Sequence, residues 1–223
     1  MRRADGEGRE DFPAGPRVRP AVRRDLAALA RVLSRAFLDD PLACYLISRD
    51  RSRAAGLRRF FSVEMRTIFL PRGAIYTTEG REGAAIWAPP DMARRDLHDF
   101  IRLFPMLMYV GPGDLGRTQR LFGHLDMARP TYPHWYLATL GTEPSLQGRG
   151  IGSGLLQEVL ARCDEEGLPA YLESSKERNV PFYRRHGWEV VQELRVEPQA
   201  PPLWLMLRQP KANGQWRVMR PRG

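Results

Sequence analysis

Four glycines in alternate positions, Gly148, Gly150, Gly152 and Gly154, stand between a short apolar run and the most regularly amphipathic stretch of this chain. The run from His134 to Leu140 is aromatic and aliphatic, as a buried strand requires. From Ile151 to Glu166, the residues Ile151, Leu155, Leu156, Val159, Leu160 and Cys163 recur at helical spacing and form one apolar face. Gly167 suits the left-handed stop of that helix, and Pro169 forbids its continuation. A glycine in place of alanine costs a helix about 1 kcal/mol, so helix stability alone does not select such a turn. A ligand would. The first N–H groups of a helix have no intrahelical partner, and the helix dipole adds about half a positive charge there. The turn therefore reads as an anion cradle in which phosphate can approach a backbone free of Cβ atoms, with Gln147 and Arg149 as side-chain donors.

The spacing narrows the choice of phosphate ligand. A nucleoside-triphosphate loop needs Gly-x-x-x-x-Gly-Lys-Ser/Thr, and the lysines of this chain, Lys176 and Lys211, adjoin no glycine turn. A dinucleotide fingerprint needs Gly-x-Gly-x-x-Gly, but its third glycine falls on Ser153 when counted from Gly148 and on Leu155 when counted from Gly150. That reading stays a runner-up only through Glu173, an acidic residue at the end of the next candidate strand.

The spacing Gln-x-x-Gly-x-Gly at Gln147, Gly150 and Gly152 resembles the acetyl-CoA signature of the GNAT acetyltransferase superfamily. Upstream, Leu140-Gly141-Thr142-Glu143-Pro144 resembles that family's bulged strand end. Downstream, Asn179 to Trp188 resembles its Asn-x-x-x-Tyr-x-x-x-Gly-aromatic segment. The likeness is strongest over residues 134–196 and fainter at Val18-Arg19-Pro20 and the helix that follows. Together with Glu173-Ser174-Ser175 and the late run Pro202-Leu203-Trp204, the chain is most similar to the puromycin N-acetyltransferase branch. The resemblance implies an α/β fold, a central mixed sheet flanked by helices, with acetyl-CoA as co-substrate and no metal. It implies that Leu140, Gly141, Thr142, Gln147, Gly148, Arg149, Gly150, Ile151, Gly152, Ser153 and Asn179 hold the cofactor, although Thr142 stands where the family usually has an aliphatic residue.

The rest of the chain fits one domain over 16–209, between a polar leader at 1–15 expected to be disordered and a flexible basic tail at 210–223. Val18-Arg19-Pro20 is a short strand. Asp25 is placed to cap a helix over 25–38 carrying Leu26, Leu29, Leu33 and Phe37, which Asp39-Asp40-Pro41 ends. A second helix is expected from Ser52 to Leu70. Residues 74–78 and 84–88 read as an antiparallel hairpin. An insertion at 91–133 follows, with helices expected near 94–104, 105–109 and 114–128. Its Phe100, Phe104, Met106, Met108, Tyr109, Phe122 and Met127 either pack it onto the sheet or form a lid suited to a bulky apolar amine. After the glycine turn and its helix, residues 169–173 form a strand parallel to the first, as a strand-helix-strand crossover requires. A helix at 178–186 and strands at 189–196 and 203–208 complete the sheet.

Cys44 and Cys163 give neither a disulfide framework nor a metal spacing, and a reducing cytoplasm is the default compartment. No apolar run of about 18 residues is present to span a membrane, and no signal peptide is visible. The net charge of +9 is carried by 33 arginines and two lysines interleaved with acids, and no nucleic-acid motif accompanies it. The expected partner is a small-molecule amine; monomer and homodimer both stay open.

Acyl transfer to an amine needs a neutral nucleophile, a polarised thioester carbonyl and a proton donor for the leaving thiolate. Tyr183 matches the family's usual general acid, and a backbone N–H near Leu140 can bind developing negative charge. Glu173 and His134 are the candidate bases; each can equally be structural, and an amine can also lose its proton to solvent. The chain is thus expected to acetylate a primary amine, small and hydrophobic or xenobiotic. A peptide or protein amine and a non-catalytic acyl-CoA sensor are the alternatives.

Overall fold

The computed structural model describes residues 16–47, 50–72, 74–92 and 115–211. The expected leader at 1–15, the helices near 94–104 and 105–109, and residues 212–223 of the tail lie outside them. Seven strands form one mixed sheet. They are β1 (Val18–Pro20), β2 (Ile75–Thr78), β3 (Gly83–Ala88), β4 (Trp135–Thr142), β5 (Ala170–Ser174), β6 (Glu189–Leu194) and β7 (Leu203–Arg208), in the order β1-β2-β3-β4-β5-β7-β6. All neighbours are antiparallel except β4 and β5, which run parallel across the helix that joins them. β3 is buried along its whole length, in keeping with its uninterrupted Ala84-Ala85-Ile86-Trp87-Ala88 run.

Helices cover both faces. They are α1 (Leu26–Ala36), α2 (Pro41–Leu46), α3 (Asp50–Glu64), α4 (Leu115–Ala128), α5 (Ile151–Glu166) and α6 (Val180–Arg185). Glycines show which face each long helix takes. A Cβ at Gly141 would lie 2.7 Å from Leu33 and 3.3 Å from Ala36, both on α1. A Cβ at Gly83 would meet Leu155 and Ile151 of α5 at 3.1 and 3.3 Å. The paired strands β3 and β4 thus leave room for one helix on each side. α5 matches its sequence expectation to the residue: its apolar face from Ile151 to Cys163 is buried and Gly167 closes it at φ 64°. Burial pushes the Cys163 thiol up to about 12, the behaviour of a core residue. No helix among the described residues is long and apolar enough to cross a membrane.

The N-terminal half departs from expectation in three places. α1 runs over Leu26–Ala36, not 25–38, and Asp25 does not cap it. A tight turn at Arg23–Asp25 precedes the helix, so the fully buried Asp25 carboxylate folds back instead. It accepts from the Val22 N–H at 3.0 Å and from Arg19 at 2.7 and 3.2 Å. Asp40-Pro41 does more than terminate: Asp40 accepts from the N–H groups of Leu42 and Ala43 and Pro41 takes the first helical position, which starts α2. The helix expected over Ser52–Leu70 begins at Asp50 and changes to a wider π-helical turn at Met65–Phe69, which buries Met65, Ile68 and Phe69 together. Of the insertion, α4 is seen; Leu121 and Leu125 pack into the core, whereas Met127 is solvent-exposed.

His134 leads into β4, fully buried between the rings of Tyr132 and Tyr171. Its Nδ1 hydrogen-bonds to the Tyr132 carbonyl at 2.8 Å, and its Nε2 has no hydrogen-bond partner among the described residues. His186, the residue that ends α6, is half-buried near the cationic Arg185, Arg208 and Lys211. Both imidazoles are kept below the ordinary histidine value, first by burial.

Two outcomes follow. Gly141→Ala forces α1 away from β4 and should cost about 1–3 kcal/mol in denaturant unfolding. For the histidines, the unfolded chain binds protons that the folded chain refuses, so their contribution is complete above about pH 6.5 and is lost as pH falls toward the folded values. Unfolding midpoints should therefore drop between about pH 7.5 and about pH 5.5. The drop should shrink in His134→Phe, whatever that variant's starting stability.

Candidate functional site

β4 and β5 pair only at Trp135 with Ala170 and Tyr136 with Tyr171, then part. The bulge in β4 falls at Ala138, between the β3-paired Leu137 and Thr139, not in the Leu140–Pro144 segment where the sequence placed it. An extra residue there bends the strand and raises its twist, which turns its C-terminal half away from β5. Two cavities occupy the resulting opening.

The first is a groove of about 470 Å³ between the end of β4, the start of α5 and α6. Leu140, Gly141, Thr142, Gln147, Gly148, Gly150, Ile151, Gly152, Ser153 and Asn179, all expected from sequence, line it. The first bond inside α5 runs from Gly154 N–H to Gly150 C=O at 2.9 Å, so the N–H groups of Ile151, Gly152 and Ser153 have no partner within the helix. Gly148 and Gly150 both take φ 78°, and a Cβ at either would meet nothing within 4 Å. Glycine is needed there for the left-handed turn, and the space above the backbone is open. Gly152 instead makes room for Phe182, and Gly154 faces Pro16 and Val18, away from the groove. The alternate glycines therefore serve different purposes. Gln147 Nε2 donates to the Thr142 carbonyl at 3.4 Å, and Ser153 Oγ lies 3.0 Å from His186 Nε2.

Arg149 is exposed and forms no part of the wall. Positive charge comes instead from Lys176, Arg178 and Arg185, which the sequence reading missed. Lys176 and Arg178 reach Asp39 at 2.7 and 3.3 Å. Their only sequence signal was their place in the loop between β5 and Asn179. The Asn179 side chain makes no hydrogen bond among the described residues although it precedes α6, which leaves it available to the groove.

The second cavity, about 170 Å³, is mostly apolar, with Leu42, Leu57, Phe60, Phe61, Phe122 and Leu125 in its wall. Glu173 lies here, buried, accepting from Tyr136 Oη at 2.6 Å and from Arg129 at 3.3 Å. Asp40 and Glu64 join it in the wall. His134 lines neither cavity, so the structure does not bring it together with the other expected site residues.

The two cavities share Phe37 and Asp40. The strands agree on the same boundary: Tyr136, Ala138 and Thr139 line the chamber while Leu140 to Thr142 line the groove. Glu173 and Ser175 line the chamber while Lys176, Arg178 and Asn179 line the groove. Tyr183 faces this region from α6, its ring held edge-on by Phe182 at 5.2 Å and Trp188 at 5.7 Å. No hydrogen bond among the described residues engages its hydroxyl. Burial, with the Asp40 carboxylate nearby, pushes the phenol well above its ordinary range, so it carries its proton at neutral pH.

Unpartnered helix N–H groups, open space over Gly148 and Gly150, and a basic rim together fit the pyrophosphate of acetyl-CoA. The sequence profile of the Acetyltransferase (GNAT) family matches residues 74–188. An uncharacterized N-acetyltransferase of Schizosaccharomyces pombe is 28% identical over 212 residues, which cover 86% of this chain and 83% of that protein. Among solved structures, the histone acetyltransferase HPA2 and related acetyltransferase of Corynebacterium glutamicum superposes with a TM-score of 0.65 at 24% identity, over 90% of this chain and 99% of that one. The polyamine N-acetyltransferase of Drosophila melanogaster superposes with a TM-score of 0.59 at 19% identity, over 86% and 98%. Both show the same fold. With the family profile running from the entry of β2 through the phosphate cradle to Trp188, the chain belongs to the acetyltransferase (GNAT) family and is an acetyl-CoA-dependent acetyltransferase.

Proposed function

We propose that this enzyme acetylates the primary amine of a small molecule with an apolar body. The observation that carries the reading is the common boundary at which β4, β5 and the corner after α1 all pass from chamber wall to groove wall. Acetyl-CoA bound in the groove supplies an activated acetyl group as a thioester. The helix N–H groups of Ile151, Gly152 and Ser153, with Lys176, Arg178 and Arg185, hold its phosphates. The inner edge of β4 beyond Tyr136 is unpaired with β5 and offers backbone groups to the pantetheine arm, which places the acetyl group near Leu140.

Tyr183 is the proton donor: protonated, lining the groove and free of competing bonds among the described residues. Glu173 lies deeper, in the chamber, where Tyr136 and Arg129 occupy its oxygens, so its part is to shape the acceptor's surroundings. The chamber's Phe60, Phe61, Phe122 and Leu125 suit an apolar acceptor body. Phe122 and Leu125 come from α4, inside the insertion, which supports the puromycin N-acetyltransferase-like reading and its xenobiotic amine. The Drosophila protein catalyses formation of N-acetylagmatine, an acylated small amine, and so supports a small-molecule amine as the acceptor.

Thiol release from acetyl-CoA across puromycin, polyamines and arylalkylamines tests this directly. Tyr183→Phe should lower kcat by about 10²-fold or more, the scale of a lost general acid, with CoA affinity within about twofold of the parent. Undiminished turnover in that variant would remove Tyr183 from the chemistry. CoA binding without turnover of any amine by the parent would identify a non-catalytic acyl-CoA sensor.

A further inference from the structure

We infer that Asp40 is the docking carboxylate of the acceptor: it receives the ammonium group where the chamber opens into the groove and holds its nitrogen toward Leu140. The inference rests on the amine reading above and adds a residue that the family signature does not contain.

Asp40 is 6% exposed and is the one charged side chain common to both cavity walls among the described residues. Two elements fix its carboxylate. Oδ1 accepts from the N–H groups of Leu42 and Ala43 at 3.0 and 3.1 Å, and Oδ2 accepts from Ser175 Oγ of the loop after β5 at 2.6 Å. Each carboxylate oxygen has two acceptor positions, so among the described residues Oδ1 is filled and Oδ2 keeps one. An N-cap alone would need only the first oxygen. The second is held across the opening between the parted strands, which a cap does not require.

The chamber side of that point suits a cation. Its wall sets the acidic side chains of Asp40, Glu64 and Glu173 beside the Arg129 guanidinium, while Lys176, Arg178 and Arg185 stand on the groove side. Glu173 lines the chamber alone, and its charge is already paired with Arg129 while Tyr136 donates to its other oxygen, whereas Asp40 stands at the threshold. Tyr183 lies close enough to feel the Asp40 charge, so the nitrogen held by Asp40 and the proton carried by Tyr183 belong to one small region. The acceptor class is accordingly a primary amine that docks as its ammonium and gives one proton to solvent before its neutral nitrogen attacks, with an apolar portion that enters the chamber behind that nitrogen.

The charge separates docking from capping, because Asn and Asp cap helices about equally well. In Asp40→Asn, with phenethylamine and agmatine as probes, the amine KM should rise by about 10–100-fold, the value of a lost hydrogen bond to a charged group. CoA affinity should stay within about twofold and the melting temperature should hold. Ser175→Ala, which leaves the cap intact, should raise the amine KM by a smaller factor. It serves as the deciding variant if Asp40→Asn melts early. Unchanged amine KM in a folded Asp40→Asn, or in Ser175→Ala where the first variant fails to fold, overturns the inference and leaves the acetyltransferase reading standing. Should the parent bind CoA yet acetylate neither probe nor any amine of the wider panel, the amine reading falls and this assignment falls with it.

Discussion

The parting of β4 from β5 is the constraint on which the site depends. Backbone groups in a sheet must find partners, and a gap inside a sheet is costly unless each bordering strand is secured on its other side. Here β4 stays paired with β3 as far as Thr142, and β5 stays paired with β7 as far as Ser174. Only the inner edges are released. The bulge at Ala138 diverts β4 at the start of the gap, and the corner holding Asp40 reaches across to Ser175. The opening is thus built into the strand register, and both cavities are consequences of it.

Tyr183 depends on a second structure behind it. Trp87 of the fully buried β3 stacks on Trp188 with ring centres 6.4 Å apart, and Trp188 meets Tyr183 edge-on. This column ties a groove-facing phenol to the centre of the sheet. The other end of α6 is tied by Arg208, which is almost fully buried. It donates to the His186 carbonyl and makes two 2.8 Å bonds to Asp164 of α5. One side chain of the penultimate sheet strand in space therefore links the helix whose first turn lines the groove to the helix that carries Tyr183. A bidentate, largely dehydrated pair of this kind fixes orientation as much as it stabilises.

Much of this was legible in the sequence where the cause was local. The extent of α5, the left-handed Gly167, the β2–β3 hairpin and the parallel strand beyond the crossover all follow from spacing over a few residues. Most of the groove was legible too, because a phosphate cradle is a contiguous turn. The chamber was not. Its wall draws Phe60 from α3, Phe122 from α4, Tyr136 from β4 and Glu173 from β5, and no pattern along the chain announces that they converge. Asp40 shows the difficulty in one residue: beside Pro41 it reads as punctuation, and only the fold places it at the threshold. His134 shows the reverse. A histidine at the head of the central strand has suitable chemistry, but the strand carries it to the end remote from Leu140 and buries it among tyrosines. Arg149 likewise has the right charge in the right turn, yet points to solvent while Lys176 and Arg185, distant in sequence, supply the rim.

The shared wall at Phe37 and Asp40 also sets a trade between the two substrates. On the proposed reading, the cradle would fix one end of the acyl carrier against backbone, so the carrier's length would determine where the acyl carbonyl comes to rest along β4. Any methylene added to a two-carbon acyl group would then extend past that point into the chamber. On that reading, donor chain length and acceptor bulk would compete for one enclosed volume, and a mutation that enlarges the chamber at Phe60 or Phe122 would relax both selectivities at once.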